Sequence, residues 1–151
     1  MSQQQQPQPS QVRPERRRAE PQSFRARTMS VSLTASDVHE SLAWYRDIVG
    51  FTVAEEYERN GRLVGASLKA GVVSIMLSQD DGAQGEGRVK GQGFSMYFTT
   101  AQDVDMLAEE IEARGGTLEM RPTDMPWGAR LFRIADPDGF RISISSEPTT
   151  T

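Results

Sequence analysis

An α+β fold, built from two copies of one supersecondary unit, is predicted by three observations. Two segments 66 positions apart share landmarks: in TASDVHESLAWYRDIVGF (Thr34–Phe51) and TTAQDVDMLAEEIEARGGT (Thr99–Thr117), Thr34 matches Thr100, Asp37 matches Asp103, Val38 matches Val104 and Gly50 matches Gly116. Each segment follows a short run of alternating residues, SVSLTA or FSMYFTT, as a half-buried strand requires. Each is followed by further alternating runs separated by turn signals. Each copy therefore reads strand, helix, strand, strand, strand.

The elements follow in order. After the strand at Ser30–Ala35, Asp37 is placed to cap a helix, with Glu40 completing a capping box. Leu42, Tyr45, Ile48 and Val49 form its apolar stripe, and Gly50 ends it. Strands are expected at Thr52–Glu58, Arg62–Lys69 and Val72–Ser78, joined by the hairpin turns RNG and KAG. The Gly-rich SQDDGAQGEGRVKGQG reads as a linker or flap; no strand–loop–helix context with Gly-Lys-Ser/Thr makes it a phosphate loop. In the second copy Val104, Leu107, Ala108 and Ile111 repeat the stripe up to Gly115-Gly116. Strands follow at Thr117–Arg121, Arg130–Ala135 and Phe140–Ser145, the last two joined by Asp-Pro-Asp-Gly. This divides the chain into a tail (1–27), module one (28–79), a linker (80–92), module two (93–147) and a short end (148–151).

The tail differs in kind from the body. Residues 1–27 hold six Arg and two Glu and almost nothing apolar, which predicts a disordered arm, while the remainder carries a net charge of −8. RPERRR would suit nucleic acid or an anionic surface, or serve as the contact of a partner-binding module, but without interleaved aromatics it reads as a solvated cluster. Met29, just before SVSLTASD, resembles a start ahead of the first strand. With no cysteine, disulfides, thiolate nucleophiles and zinc–thiolate sites are excluded. No long apolar run predicts a leader or a membrane span, so a cytoplasmic protein is expected. The acidic body disfavours nucleic acid and tolerates a cationic small ligand.

SDVHESLAWYRDIVGF, SLKAGVVSIMLS, DVDMLAEEIEARGG and PWGARLFRIADPDGFRISI, in this order and spacing, resemble the vicinal oxygen chelate superfamily of glyoxalases, bleomycin resistance proteins and dioxygenases. The resemblance spans about Ser30 to Ser146. It implies two βαβββ modules forming a curved, eight-stranded mixed sheet around a cavity, helices on its outer face, and a homodimer. It also implies four strand positions where metal-dependent members place His, Glu or Gln. These fall on Ser30, on Met76 (or Ile75), on Met96 and on Ser143. Thioethers and neutral serines are poor ligands for a divalent ion of this kind, so no metal and no cofactor are expected.

Other chemistry is sparse. His39, the single histidine, falls in a first helical turn and cannot assemble a site alone. Asp136 and Asp138 are expected to shape their turn, and Glu55-Glu56 and Glu109-Glu110 to be solvated. Alternation places Val31, Leu33 and Ala35 toward the helices and Ser30, Ser32 and Thr34 toward the cavity. Carrying this over by 66 positions puts Phe94, Met96 and Phe98 inward. In the last strand Ile142 and Ile144 suit the helix side, leaving Arg141, Ser143 and Ser145 inward, with Met76 and Ser78 beside them. Trp127 and Arg130 would stand at the entrance, whereas Trp44 and Tyr45 pack structurally. The expected ligand-binding set is thus Ser32, Met76, Phe94, Met96, Phe98, Trp127, Arg130, Arg141 and Ser143. An apolar, aromatic cavity with spaced hydroxyls predicts metal-independent binding of an aromatic compound, cationic antibiotics included, as in bleomycin resistance proteins. The alternative is a lyase, isomerase or dioxygenase with an atypical metal site or none.

Overall fold

In a computed structural model, which describes residues 24–149, each module is a four-stranded sheet with one helix packed on one face. Module one consists of β1 (Ser30–Ala35), α1 (Val38–Ala43), β2 (Thr52–Arg59), β3 (Arg62–Ala70) and β4 (Val73–Gln79). Module two consists of β5 (Ser95–Thr100), α2 (Val104–Ala113), β6 (Met120–Asp124), β7 (Arg130–Ala135) and β8 (Arg141–Ser146). The strand orders are β1-β4-β3-β2 and β5-β8-β7-β6, with β1–β4 and β5–β8 parallel and the other neighbours antiparallel. The α+β architecture and the duplication are as expected, with the eight strands grouped as two sheets of four.

Asp37 caps α1 by accepting the N–H groups of His39 and Glu40, and Asp103 caps α2 through those of Asp105 and Met106. The first helix departs from the expectation of a uniform α-helix: from Trp44 to Val49 it continues as a π-helix. Gly50 ends it at φ +102°, in the left-handed region that favours glycine. The wider turn leaves Tyr45 fully buried, with its hydroxyl donating to Asp136 Oδ2 across the module boundary at 2.8 Å. The sixth strand lies further along than Thr117–Arg121. Pro122 marks no end to it, because β6 is an edge strand with a bulge between Met120 and Thr123, where a missing N–H is tolerated.

The modules share one core. Trp44, Tyr45, Phe51 and Phe98 form a chain of edge-to-face rings with centroids 4.8, 5.4 and 6.0 Å apart. Arg114 at the end of α2 donates to the Ile48 carbonyl, closing the first helix's terminus. The linker joins in as well. Lys90 is buried, with its ammonium 2.9 Å from both Asp80 Oδ2 and Ser36 Oγ, and Ser36 in turn bonds Asp138. The Asp-Pro-Asp-Gly turn is built as expected: Asp136 Oδ1 accepts the N–H groups of Asp138 and Phe140. Burial raises the Asp136 pKa, an effect opposed by the Tyr45 hydroxyl and these two N–H groups.

Candidate functional site

Residues paired directly across a sheet lie on the same face, so register and burial together sort each strand. In module one, Val31, Ile75 and Leu68 form one row and Leu33, Leu77 and Ala66 another, all turned to the helix and buried or nearly so. The opposite face is open. Its rows are Ser32–Met76–Ser67–Glu55 and Thr34–Ser78–Gly65–Tyr57. In module two the helix-side rows are Met96–Ile142–Ile134 and Phe98–Ile144–Phe132. The rows on the opposite face are Tyr97–Ser143–Arg133–Met120 and Thr99–Ser145–Leu131–Thr123, in which Tyr97, Thr99 and Thr123 are exposed and Ser143, Ser145 and Leu131 buried.

Of the expected set, Ser32, Met76, Arg141 and Ser143 occupy open faces. Met96 and Phe98 do not. Met96 is 6% exposed in the core, and Phe98 packs on Phe51. The physical reason is a single residue. Between β1 and its cap lies Ser36 alone, whereas Ala101 and Gln102 lie between β5 and Asp103. Caps 66 apart therefore follow strands whose equivalent faces are 65 apart, and a one-residue slip exchanges the faces. Tyr97, passed over in the sequence, takes the place assigned to Met96. The bulky alternation of Met96 and Phe98, matching Val31 and Leu33, was the available signal.

Arg130 is also displaced from the expected entrance. Its guanidinium makes a two-pronged contact with Asp105 on α2, at 2.9 Å each, and reaches Asp124 at 3.1 Å. This hydrogen bond is the main cause holding the Asp105 carboxyl below its usual range. Phe94 precedes β5 and stacks edge-to-face on Phe140 at 5.8 Å. Trp127 stands exposed in the β6–β7 loop. Arg141, on the open side, is paired to Glu119 at 3.0 Å.

Hydroxyls organise the open faces. Tyr97 is 54% exposed, and its hydroxyl donates to buried Ser145 at 2.8 Å, which itself donates to the Ser146 carbonyl. Ser143, also buried, accepts Arg133 Nε at 3.3 Å. In module one Tyr57 bridges Glu55 and Ser67, both at 3.1 Å. This donor set does not fit a catalytic divalent ion. Its central rows contain one carboxylate, no imidazole and otherwise hydroxyl, thioether and guanidinium groups, and no cluster of three or more metal-binding side chains occurs among the described residues.

In one chain the faces opposite the helices are unevenly covered: Met76 and Tyr97 are exposed, whereas Ser143, Ser145 and Leu131 are buried. Concavities of about 350 and 310 Å³ lie elsewhere, one between α1 and the β2–β3 hairpin near His39 and Arg62, the other at the linker near Asp80 and Lys90. Neither is lined by any of the nine expected residues. No helix among the described residues is long and apolar enough to cross a membrane. The Arg-rich cluster falls outside the described residues.

A family model described as the Glyoxalase/Bleomycin resistance protein/Dioxygenase superfamily matches residues 27–144. Similar solved structures include TioX from Micromonospora sp. ML1, at 21% identity and TM-score 0.66, covering 78% of this chain and 96% of that one. A glyoxalase/bleomycin resistance protein/dioxygenase from Nocardioides is similar at 18% identity and TM-score 0.67, covering 87% and 89%. TnmS3 from Streptomyces sp. CB03234, described as an antibiotic binding protein, is similar at 21% identity and TM-score 0.65, covering 85% and 100%. Among curated proteins, none matches the chain.

Proposed function

The chain belongs to the glyoxalase/bleomycin resistance protein/dioxygenase superfamily, and from that premise we propose that it binds an aromatic small molecule, such as an antibiotic, on its open sheet faces without a metal. It sequesters or carries this ligand rather than transforming it. The observation that carries the reading is the make-up of those faces. Tyr97 and Met76 are exposed beside rows of serine hydroxyls, which suits stacking and a few orienting hydrogen bonds. The likeness to an antibiotic binding protein agrees with this reading, at an identity that speaks for the fold.

In one chain Met76 and Tyr97 stay exposed beside the buried Ser143 and Ser145, and a ligand site needs walls on more than one side. A second copy supplies them, so the binding form is a homodimer, acting in the cytoplasm. Ser32, Met76, Tyr97, Arg133, Arg141 and Ser143 form the binding surface, with Trp127 and Phe94 at its margins.

The test is titration calorimetry of the purified protein against a panel of antibiotics and aromatic metabolites, with sedimentation measured in parallel. Stoichiometric binding by a dimer is expected. No binding across the panel, or stoichiometric metal linked to lyase or dioxygenase activity, would replace this reading with the enzymatic one.

A further inference from the structure

The open face of module two presents one half-buried guanidinium without a carboxylate. Arg46, Arg88, Arg114, Arg121, Arg130 and Arg141 all form ion pairs. Arg133 forms none among the described residues, and its one side-chain bond is Nε to the neutral Ser143. The acid nearest in sequence across the β6–β7 ladder, Glu119, gives its carboxylate to Arg141 instead. A guanidinium carries five donors, so four N–H groups of Arg133 have no side-chain or backbone partner among the described residues. Partly removing such a charge from water is unfavourable unless an anion meets it.

Arg133 is also held in place. Its strand partner Ser143 is 3% exposed and fixes the Nε side of the fork. Tyr97 lies on the far side of Ser143 in the same row, two strand spacings, about 10 Å, from Arg133 along the sheet. An arene lying against Tyr97 is thus within that distance of the guanidinium, a span that a ring bearing an acid group can bridge. Met120 closes the other end of the row.

We propose that Arg133 anchors an anionic oxygen group, a carboxylate or an ionised phenol, of the aromatic ligand, and so makes the site selective for aromatic acids. This rests on the ligand-binding reading above. The net negative body draws cations at long range, but contact chemistry at the face decides selectivity, because a charge-assisted, two-pronged bond acts at close range where salt screens little.

The full-length protein would be titrated calorimetrically at pH 7 with three probes sharing one ring system: 2-naphthoate, 2-naphthamide and 2-naphthylmethylammonium. 2-Naphthoate should bind about tenfold to a hundredfold more tightly than 2-naphthamide, the scale of a hydrogen bond to a charged group, and the ammonium most weakly. In Arg133→Gln the naphthoate-to-naphthamide ratio should fall to about one. Arg133→Lys, which keeps the charge but not the fork, should retain an intermediate ratio and serves equally if the Gln variant does not fold. Equal affinity for the three probes, or an unchanged ratio in either variant, overturns the assignment while leaving aromatic binding intact. Binding of none of them overturns the ligand-binding reading, and the assignment with it.

Discussion

Replacing Met96 by alanine should unfold the protein about 10 °C lower than wild type, whereas replacing its neighbour Tyr97 by alanine should cost far less. Met96 is 6% exposed, in a row with Ile142 and Ile134, so truncation removes a thioether and methyl from contact on all sides and leaves a void. Such substitutions cost about 2–5 kcal/mol, and about 3 kcal/mol is expected here. Tyr97 is 54% exposed, and its removal leaves Ser145 still donating to the Ser146 carbonyl, so no buried hydroxyl is stranded. Its cost is about 1 kcal/mol, a lost half-burial and one hydrogen bond. Circular dichroism melts of the two variants read this directly. Binding should divide the opposite way, with 2-naphthoate lost from Tyr97→Ala and kept by Met96→Ala at temperatures where it is folded. If Tyr97→Ala melts lower than Met96→Ala, then Tyr97 and not Met96 is the core residue of β5, and the face assignments fall with it.

Further tests address the module boundary, the linker and the Arg130–Asp105 pair. Tyr45→Phe removes the hydroxyl that Asp136 Oδ2 accepts, and should cost about 1.5–3 kcal/mol in urea unfolding, the range for hydrogen bonds to a charged group; no loss would show that the bond contributes nothing. A Cβ at Gly91 would lie 2.5 Å from the Gly139 carbonyl, at φ +71°, while Gly87 shares a similar φ of +67° with nothing within 4 Å. Gly91→Ala should therefore be the more destabilising of the two, with Gly87→Ala costing only the strain of about 1–2 kcal/mol; equal melting points would refute the close approach of linker and turn. Because Arg130 lowers the Asp105 pKa, their contribution is complete above the ordinary value of 3.8 and fades as pH falls through the depressed one. The stability gap between wild type and Arg130→Met should thus be constant near neutrality and narrow in acid, and a gap that widened there would contradict the pairing.

Much of the architecture is legible in local chemistry. Asp37 and Asp103 cap their helices, Gly50 ends one, and Asp-Pro-Asp-Gly turns the last hairpin, because each uses a side-chain acceptor or a backbone freedom that acts within a few residues. The sequence misleads where a count between elements matters. One extra residue ahead of Asp103 reverses the faces of β5, which moved Met96 and Phe98 into the core and brought Tyr97 out. Arg130 and Arg133, three positions apart on β7, were separable only by knowing their cross-strand partners: one clamps α2, the other faces the open surface. The tie from Lys90 to Asp80 and Ser36 is invisible to pattern because it joins a glycine-rich linker to the ends of β1 and β4.

The most direct test of the central claim is an amide chemical-shift map of the protein titrated with 2-naphthoate. Shifts should concentrate on Tyr97, Arg133, Ser143 and, across the completed site, Ser32 and Met76. Shifts confined to the groove lined by His39, Arg46 and Arg62 would contradict it, placing the ligand on the helix side and not on the open faces.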